Sequence, residues 1–229
     1  MNRNPYLAEA LGTFILVFMG CGAIVVNDSY GNILGHTGIA LSFGLVVMVL
    51  IYSIGNISGA HLNPAVTLGF WFSGRLRRTS VLPYVFAQCI GAITAALLLR
   101  YLFPDHATLG ATLPKVDLFR CFVIEALLSF ILMFVILNVS TGHMEKGIMA
   151  GVAIGGTIAL EALFGGPMTG ASMNPARSLG PGLVSGEWQT LWVYLTAPVF
   201  GALCAQPSCR WIQGKECCSL VENELNSTS

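Results

Sequence analysis

A chain of 229 residues that is 55% hydrophobic, only 10% charged and of zero formal net charge has too little polar surface to cover a soluble globule. With a mean hydropathy of +0.73 it belongs in a bilayer, and its neutral charge balance points to no nucleic-acid partner. The seven cysteines show neither metal-ligand spacing nor an even extracellular set, so no metal, cofactor or disulfide framework is expected, and most read as small buried hydrophobes.

Crossing a bilayer as a helix takes roughly 20 apolar residues, and six runs of that kind follow one another. After a short N-terminus (1–5), the first covers about 6–26 and contains Glu9. It is full length and no A-x-A-like site follows, so it reads as a span and not as a cleaved leader. Asn27, with Asp28 and Ser29, is formally a glycosylation sequon. The second run, about 37–55, carries Phe43 and leads into "AHLNPAVTLGF" at 60–70. The third covers about 82–103, and the fourth, about 118–139, contains Glu125. The fifth, about 147–165, carries Glu161 and Ala162 and leads into "ASMNPARSLGP" at 171–181, and the sixth covers about 191–212. Residues 214–229 are polar and without periodicity, and read as a disordered cytoplasmic tail in which Cys217 and Cys218 form a pair of the kind that acylation uses.

The spans are interrupted by glycine and not by charge. Gly55/Gly59, Gly91/Ala95, Gly151/Gly155 and Gly201/Ala205 have the small-xxx-small spacing that lets helix backbones approach closely in lipid. Orientation follows from basic residues in short loops. With both termini cytoplasmic, the inner segments hold Arg3, Arg75, Arg77, Arg78, Lys146, Arg210 and Lys215, against Arg100, Lys115 and Arg120 outside, with Arg177 unassigned.

A repeat decides the architecture. "EALGTFILVF" at 9–18 matches "EALLSFILMF" at 125–134, and "SGAHLNPAVTLG" at 58–69 matches "TGASMNPARSLG" at 169–180, with offsets of 116 and 111 residues. Three spans per half is an odd number, so the second half enters the membrane from the opposite face, and the functional site of such an inverted repeat lies near the midplane between the halves. The Asn-Pro-Ala segments are too apolar for loop water and too short to span. Both read as re-entrant half-helices, with Asn63 and Asn174 as N-caps and Pro64 and Pro175 at the first helical position. Non-helical backbone at that depth survives only inside protein or beside a wet cavity. Two helix N-termini facing that cavity present about half an elementary charge each, which repels cations and protons.

Two boxes, Asn63-Pro64-Ala65 and Asn174-Pro175-Ala176, in inverted halves with Arg177 after the second, closely resemble the aquaporin, or major intrinsic protein, family over about residues 6–213. The resemblance implies an all-α membrane protein of six tilted helices and two re-entrant half-helices around a narrow pore. It also implies a homotetramer with one pore per chain, passing water or small neutral solutes in single file and excluding protons. It implies a second constriction nearer the outside, whose four contributors, by distance from the boxes, are Phe43, Ala162, Ala171 and Arg177. Arginine is permanently charged and offers five donors to a passing oxygen. Water-selective members usually carry histidine where Ala162 stands, so two alanines opposite one aromatic imply a wider, less polar opening. Phe43 suits either the carbon skeleton of a polyol or a water path. "GLVVMVLIYSIGNISGAHLNPAVT" and "GPMTGASMNPARSLGP" look like the plant nodulin-like intrinsic proteins and their bacterial relatives, associated with water, glycerol and uncharged metalloid acids. Glycerol facilitators place an aspartate directly after the arginine, where this chain has Ser178.

Glu9 and Glu125 hold matching repeat positions and read as structural braces for the re-entrant loops. Glu161 has no repeat partner and could face the pore vestibule, a neighbouring chain or a buried partner. His61, two residues before Asn63, reads as pore-mouth lining, with a pH-sensing gate as the other reading. His36, His106 and His143 lie in loops without ligand spacing. Against the passive channel for water and small uncharged solutes stand a strictly water-selective pore, an ion-coupled transporter and a non-conducting structural protein. The transporter lacks coupling-ion ligands, and no set of nucleophile, base and oxyanion donors gathers for an enzyme.

Overall fold

The computed structural model describes residues 4–140 and 144–214. The readings made for Arg3, His143, Lys215, Cys217, Cys218 and the tail beyond 214 lie outside the described residues, as does the side chain of Lys146. The described residues form eight helices: α1 (Pro5–Ser29), α2 (Gly35–Ser58), α3 (Pro64–Phe72), α4 (Arg78–Leu102), α5 (Leu118–Val139), α6 (Met144–Thr169), α7 (Pro175–Ser185) and α8 (Leu191–Gln213). Six are long and two short, and the short ones begin at the two box prolines. Five of the long helices are long and apolar enough to cross a membrane. The sixth, α8, matches them in length but is diluted by Thr196, Pro198, Gln206, Pro207 and Arg210, and its packing along α5 places it in the bundle.

Local chemistry sets the ends. Asn4 accepts a hydrogen bond from the Leu7 N–H at 3.1 Å with Pro5 in the first helical position, and Asp117 accepts from the Arg120 N–H at 3.0 Å, so α1 and α5 are both capped. The turn from α1 to α2 is closed by Asn27, whose Oδ1 accepts from the Gly35 N–H at 2.9 Å while its Nδ2 donates to Asn32 Oδ1 at 3.0 Å. Its side-chain amide, the acceptor of the formal sequon, is thus buried and engaged in the turn. Helix α6 runs four residues past the expected end of its span, to Thr169, and takes Pro167 into its last turn.

The halves α1–α4 and α5–α8 repeat one packing scheme. Helix α1 lies against α2 and α4 as α5 lies against α6 and α8. Each short helix is packed against the last helix of the other half, α3 on α8 and α7 on α4, and α2 faces α6. Neither half can therefore bury its own re-entrant segment alone. Glycine sets the closest contacts. A Cβ at Gly91 would stand 2.1 Å from the Ala10 carbonyl oxygen, and one at Gly201 would stand 2.0 Å from that of Ala126. Gly44 and Gly155 do the same between α2 and α6, each Cβ position lying within 2.6 Å of the other residue's carbonyl oxygen. The Gly55/Gly59 pair behaves otherwise. Gly55 has only Ile51 near it, at 3.8 Å, and Gly59 is the left-handed cap of α2, so that spacing marks a helix end and no close approach.

Because the obstacle at Gly201 is backbone and cannot rotate away, Gly201→Ala is expected to destabilise the fold by about 2 kcal/mol or more. Gly55→Ala, in an open helical position, should be neutral or slightly stabilising. Thermal unfolding of the detergent-solubilised chain checks the pair, and equal midpoints would contradict the packing at Gly201.

Candidate functional site

The site is built from two stretches of backbone that are neither helix nor loop in water. Gly59, Ala60 and Leu62 have φ of +86°, +47° and +54°, and Gly170, Ala171 and Met173 have +84°, +42° and +52°. Four non-glycine residues in the left-handed region represent strain of the kind that persists only where the surroundings over-determine it. Here those surroundings are two carboxylates. Glu9 Oε1 accepts from the Ser58 hydroxyl (2.7 Å) and the His61 N–H (2.9 Å), and Oε2 from the Leu62 N–H (2.7 Å) and Gln88 Nε2 (2.7 Å). Glu125 Oε1 accepts from the Thr169 hydroxyl (2.7 Å) and the Ser172 N–H (2.9 Å), and Oε2 from the Met173 N–H (2.9 Å). Both carboxylates are fully buried.

The boxes meet between these braces. Asn63 Oδ1 accepts from the Ala65 N–H at 2.8 Å, and Asn174 Oδ1 accepts from Ala176 and Arg177 N–H at 3.0 and 3.2 Å, so each asparagine caps its own short helix. Each Nδ2 reaches the other half, Asn63 donating to the Met173 carbonyl and Asn174 to the Leu62 carbonyl, both at 2.8 Å. An amide nitrogen carries two hydrogens, so one on each remains for the cavity that both side chains line.

That cavity has a volume of about 930 Å³. It runs from Arg75 and Ser140 at one end, past His61 and the two asparagines, to Phe43, Ala162, Ala171 and Arg177. All four residues expected at the outer constriction thus line the same space as the boxes. The guanidinium carbon of Arg177 lies 5.0 Å from the centre of the Phe43 ring, and its Nη1 donates to the Gly110 carbonyl at 2.9 Å. Among the described residues Arg177 forms no ion pair, although it is only 2% exposed. Its guanidinium is instead held between a carbonyl and a ring face where it lines the cavity. The Phe43 ring lies over Gly20, where a Cβ would be 2.3 Å from Cε1, so the missing side chain on α1 lets the ring lie back against that helix.

His61 is held between aromatic neighbours, its ring 4.6 Å from Phe70 and 4.9 Å from Tyr84, with Nδ1 3.2 Å from Thr67 Oγ1. The Thr67 hydroxyl donates its one hydrogen to the Asn63 carbonyl, so the proton of this pair sits on His61 Nδ1 and leaves Nε2 as an acceptor. Glu161, next to Ala162, is not part of the cavity wall. It is 5% exposed, and neither carboxylate oxygen finds a hydrogen-bond partner among the described residues.

The chain matches the family described as Major intrinsic protein over residues 2–207. It belongs to the major intrinsic protein family. It is 48% identical over 198 residues to Nodulin-26 of Glycine max, covering 86% of this chain and 73% of that protein. To Aquaporin NIP1-2 of Oryza sativa subsp. japonica it is 47% identical over 213 residues, covering 89% and 70%. The X-ray structure of the aquaglyceroporin from Plasmodium falciparum matches it with a TM-score of 0.78 at 26% identity, over 98% of each chain.

Two tyrosines of this major intrinsic protein that shape the site escaped the sequence reading. Tyr84 donates to the Ser58 carbonyl at 2.9 Å and Tyr194 to that of Thr169 at 2.7 Å, each closing the turn into a re-entrant segment. The signal was present, since the two tyrosines stand 110 residues apart, close to the offset of the boxes. Ser178 is 1% exposed and bonds to the hydroxyls of Thr112 and Ser172, so it anchors the α4–α5 connection outside the cavity wall. The departure from aspartate at that position therefore bears on how the loop is held.

Replacing Glu125 with glutamine keeps the shape but turns an NH₂ group toward one of its three donors. Leaving a buried N–H unsatisfied costs about 1–3 kcal/mol. Glu125→Gln should lower the unfolding temperature in detergent and reduce water flux in proteoliposomes, and a variant as stable and conductive as the parent would argue against the bracing role.

Proposed function

We propose that the chain is a passive channel for water and small uncharged solutes, with glycerol-like polyols, urea and neutral metalloid acids as its candidate cargo. The observation that carries this reading is the group at the outer end of the cavity: Arg177 over the Phe43 ring, with Ala162 and Ala171 lining the same space. The lining offers hydrogen-bond donors from Arg177 and the two asparagines, and apolar surface from Val47, Ile51, Leu132, Ile154 and Ile158. A solute bearing both hydroxyls and carbon is served by both.

Charge decides what is refused. The N-termini of α3 and α7 converge at the boxes, and Arg177 forms no ion pair among the described residues. On this reading a cation meets positive potential at the boxes and beside Arg177. The four-chain assembly and cytoplasmic termini belong to the same reading, supported by family membership and by the basic cluster Arg75, Arg77 and Arg78. Family membership and the apolar helices make this an integral membrane protein, and the relatives are channels and not enzymes.

Stopped-flow light scattering on proteoliposomes, comparing osmotic shrinkage with glycerol-driven reswelling, tests the reading directly. Ala162→His should narrow the constriction and lower the glycerol-to-water permeability ratio about tenfold, and an unchanged ratio would remove Ala162 from it. Arg177→Val should admit a proton or cation leak, read by a pH-sensitive dye trapped in the vesicles, and a variant as tight as the parent would overturn the role given to Arg177.

A further inference from the structure

The outer constriction draws on two helices that face one another, with Phe43 on α2 and Ala162 on α6. Their separation is fixed near the middle by the Gly44–Gly155 contact. Closer to the constriction α6 weakens. Pro167 has no N–H, so the Leu163 carbonyl loses the donor that a regular helix would supply, and the proline ring pushes against the same carbonyl. Leu163 directly follows Ala162, so this defect lies at the constriction itself.

The missing donor comes from the other helix. His36, in the first turn of α2 and two turns before Phe43, places Nε2 at 2.8 Å from the Leu163 carbonyl oxygen. A carbonyl only accepts, so Nε2 carries the hydrogen, and it does so in the neutral and the protonated ring alike. Room for the ring is provided by Gly166, where a Cβ would stand 2.7 Å from His36 Cε1. A freed carbonyl, a donor aimed at it and a glycine that admits the donor's ring thus coincide at one point.

We infer that His36 is a positioning residue for selectivity, whose hydrogen bond to the Leu163 carbonyl holds Ala162 at a fixed distance from Phe43 and so sets the solute cut-off of the pore. The inference rests on the constriction proposed above. Without the bond, the last turns of α6 are held to α2 only by apolar contact, and the aperture between the two filter side chains becomes variable. Polyols, which fill the opening, feel this more than water does.

The test is the ratio of polyol to water permeability, for glycerol and for a four-carbon polyol, in proteoliposomes of the full chain. His36→Phe keeps a ring beside Gly166 but removes the donor, and should change the ratio about fivefold, the effect of one lost hydrogen bond on the favoured geometry. His36→Gln, whose amide nitrogen can take the place of Nε2, should restore the parent's ratio. Pro167→Ala gives residue 167 an N–H for the Leu163 carbonyl, and on that background His36→Phe should have little further effect. A parental ratio in His36→Phe, alongside a shifted ratio in Ala162→His, overturns this inference alone. An effect of His36→Phe that is equally large with and without Pro167 also overturns it, since the ring's packing and not its hydrogen bond would then be responsible. A parental ratio in Ala162→His overturns the constriction and this inference together.

Discussion

Backbone that is not helical can persist at the centre of a bilayer only if its N–H groups find acceptors inside the protein, and Glu9 and Glu125 are those acceptors here. Each carboxylate gathers a hydroxyl from the end of one long helix and two consecutive N–H groups from the strained segment beyond it. Two N–H groups in sequence can point at one carboxylate because the residues around them alternate into the left-handed region, at Ala60 and Leu62 and again at Ala171 and Met173. The strain and the brace therefore depend on one another. The direction of α3 and α7, the meeting of their N-termini and the presence of a cavity all follow from this arrangement.

The features legible in the sequence were those written twice. The two boxes, the paired glutamates and the offset between the halves disclosed the inverted architecture, because a motif that recurs at a fixed spacing carries information no single residue does. Gly91 and Gly201 were visible on another ground, their small-xxx-small spacing with Ala95 and Ala205. Features that join distant segments without repetition were not legible. The bond from Arg177 to Gly110 uses a backbone carbonyl in an irregular connection, which has no side-chain signature at all. His36 read as an isolated loop histidine because its partner is a carbonyl whose availability depends on a proline 131 residues away. Glu161 gave three readings because helical periodicity does not distinguish a pore wall from a helix contact one residue over. The lower apolarity of α8 shows the same limit from the other side, since that helix is defined by what it packs against more than by its own composition.

These two kinds of feature divide the pore. At its middle, each box asparagine caps its own helix through Oδ1 and binds the opposite half through Nδ2. The two helix N-termini are thus fixed relative to each other by bonds that recur in both halves, and a change on one side disturbs the other. The outer constriction is built differently. Val66 occupies the repeat position of Arg177, the carbonyl that holds Arg177 lies between the halves, and the α2–α6 bond of His36 has no counterpart among the described residues. Its residues can therefore vary singly without unseating the fold. In the proposed channel, charge exclusion draws on the converging dipoles of the symmetric centre, which are coupled to stability, and on Arg177 at the outer end. In the same proposal, discrimination among neutral solutes belongs to the asymmetric end, where an alanine, a glycine under an aromatic ring and one hydrogen bond between helices set the opening.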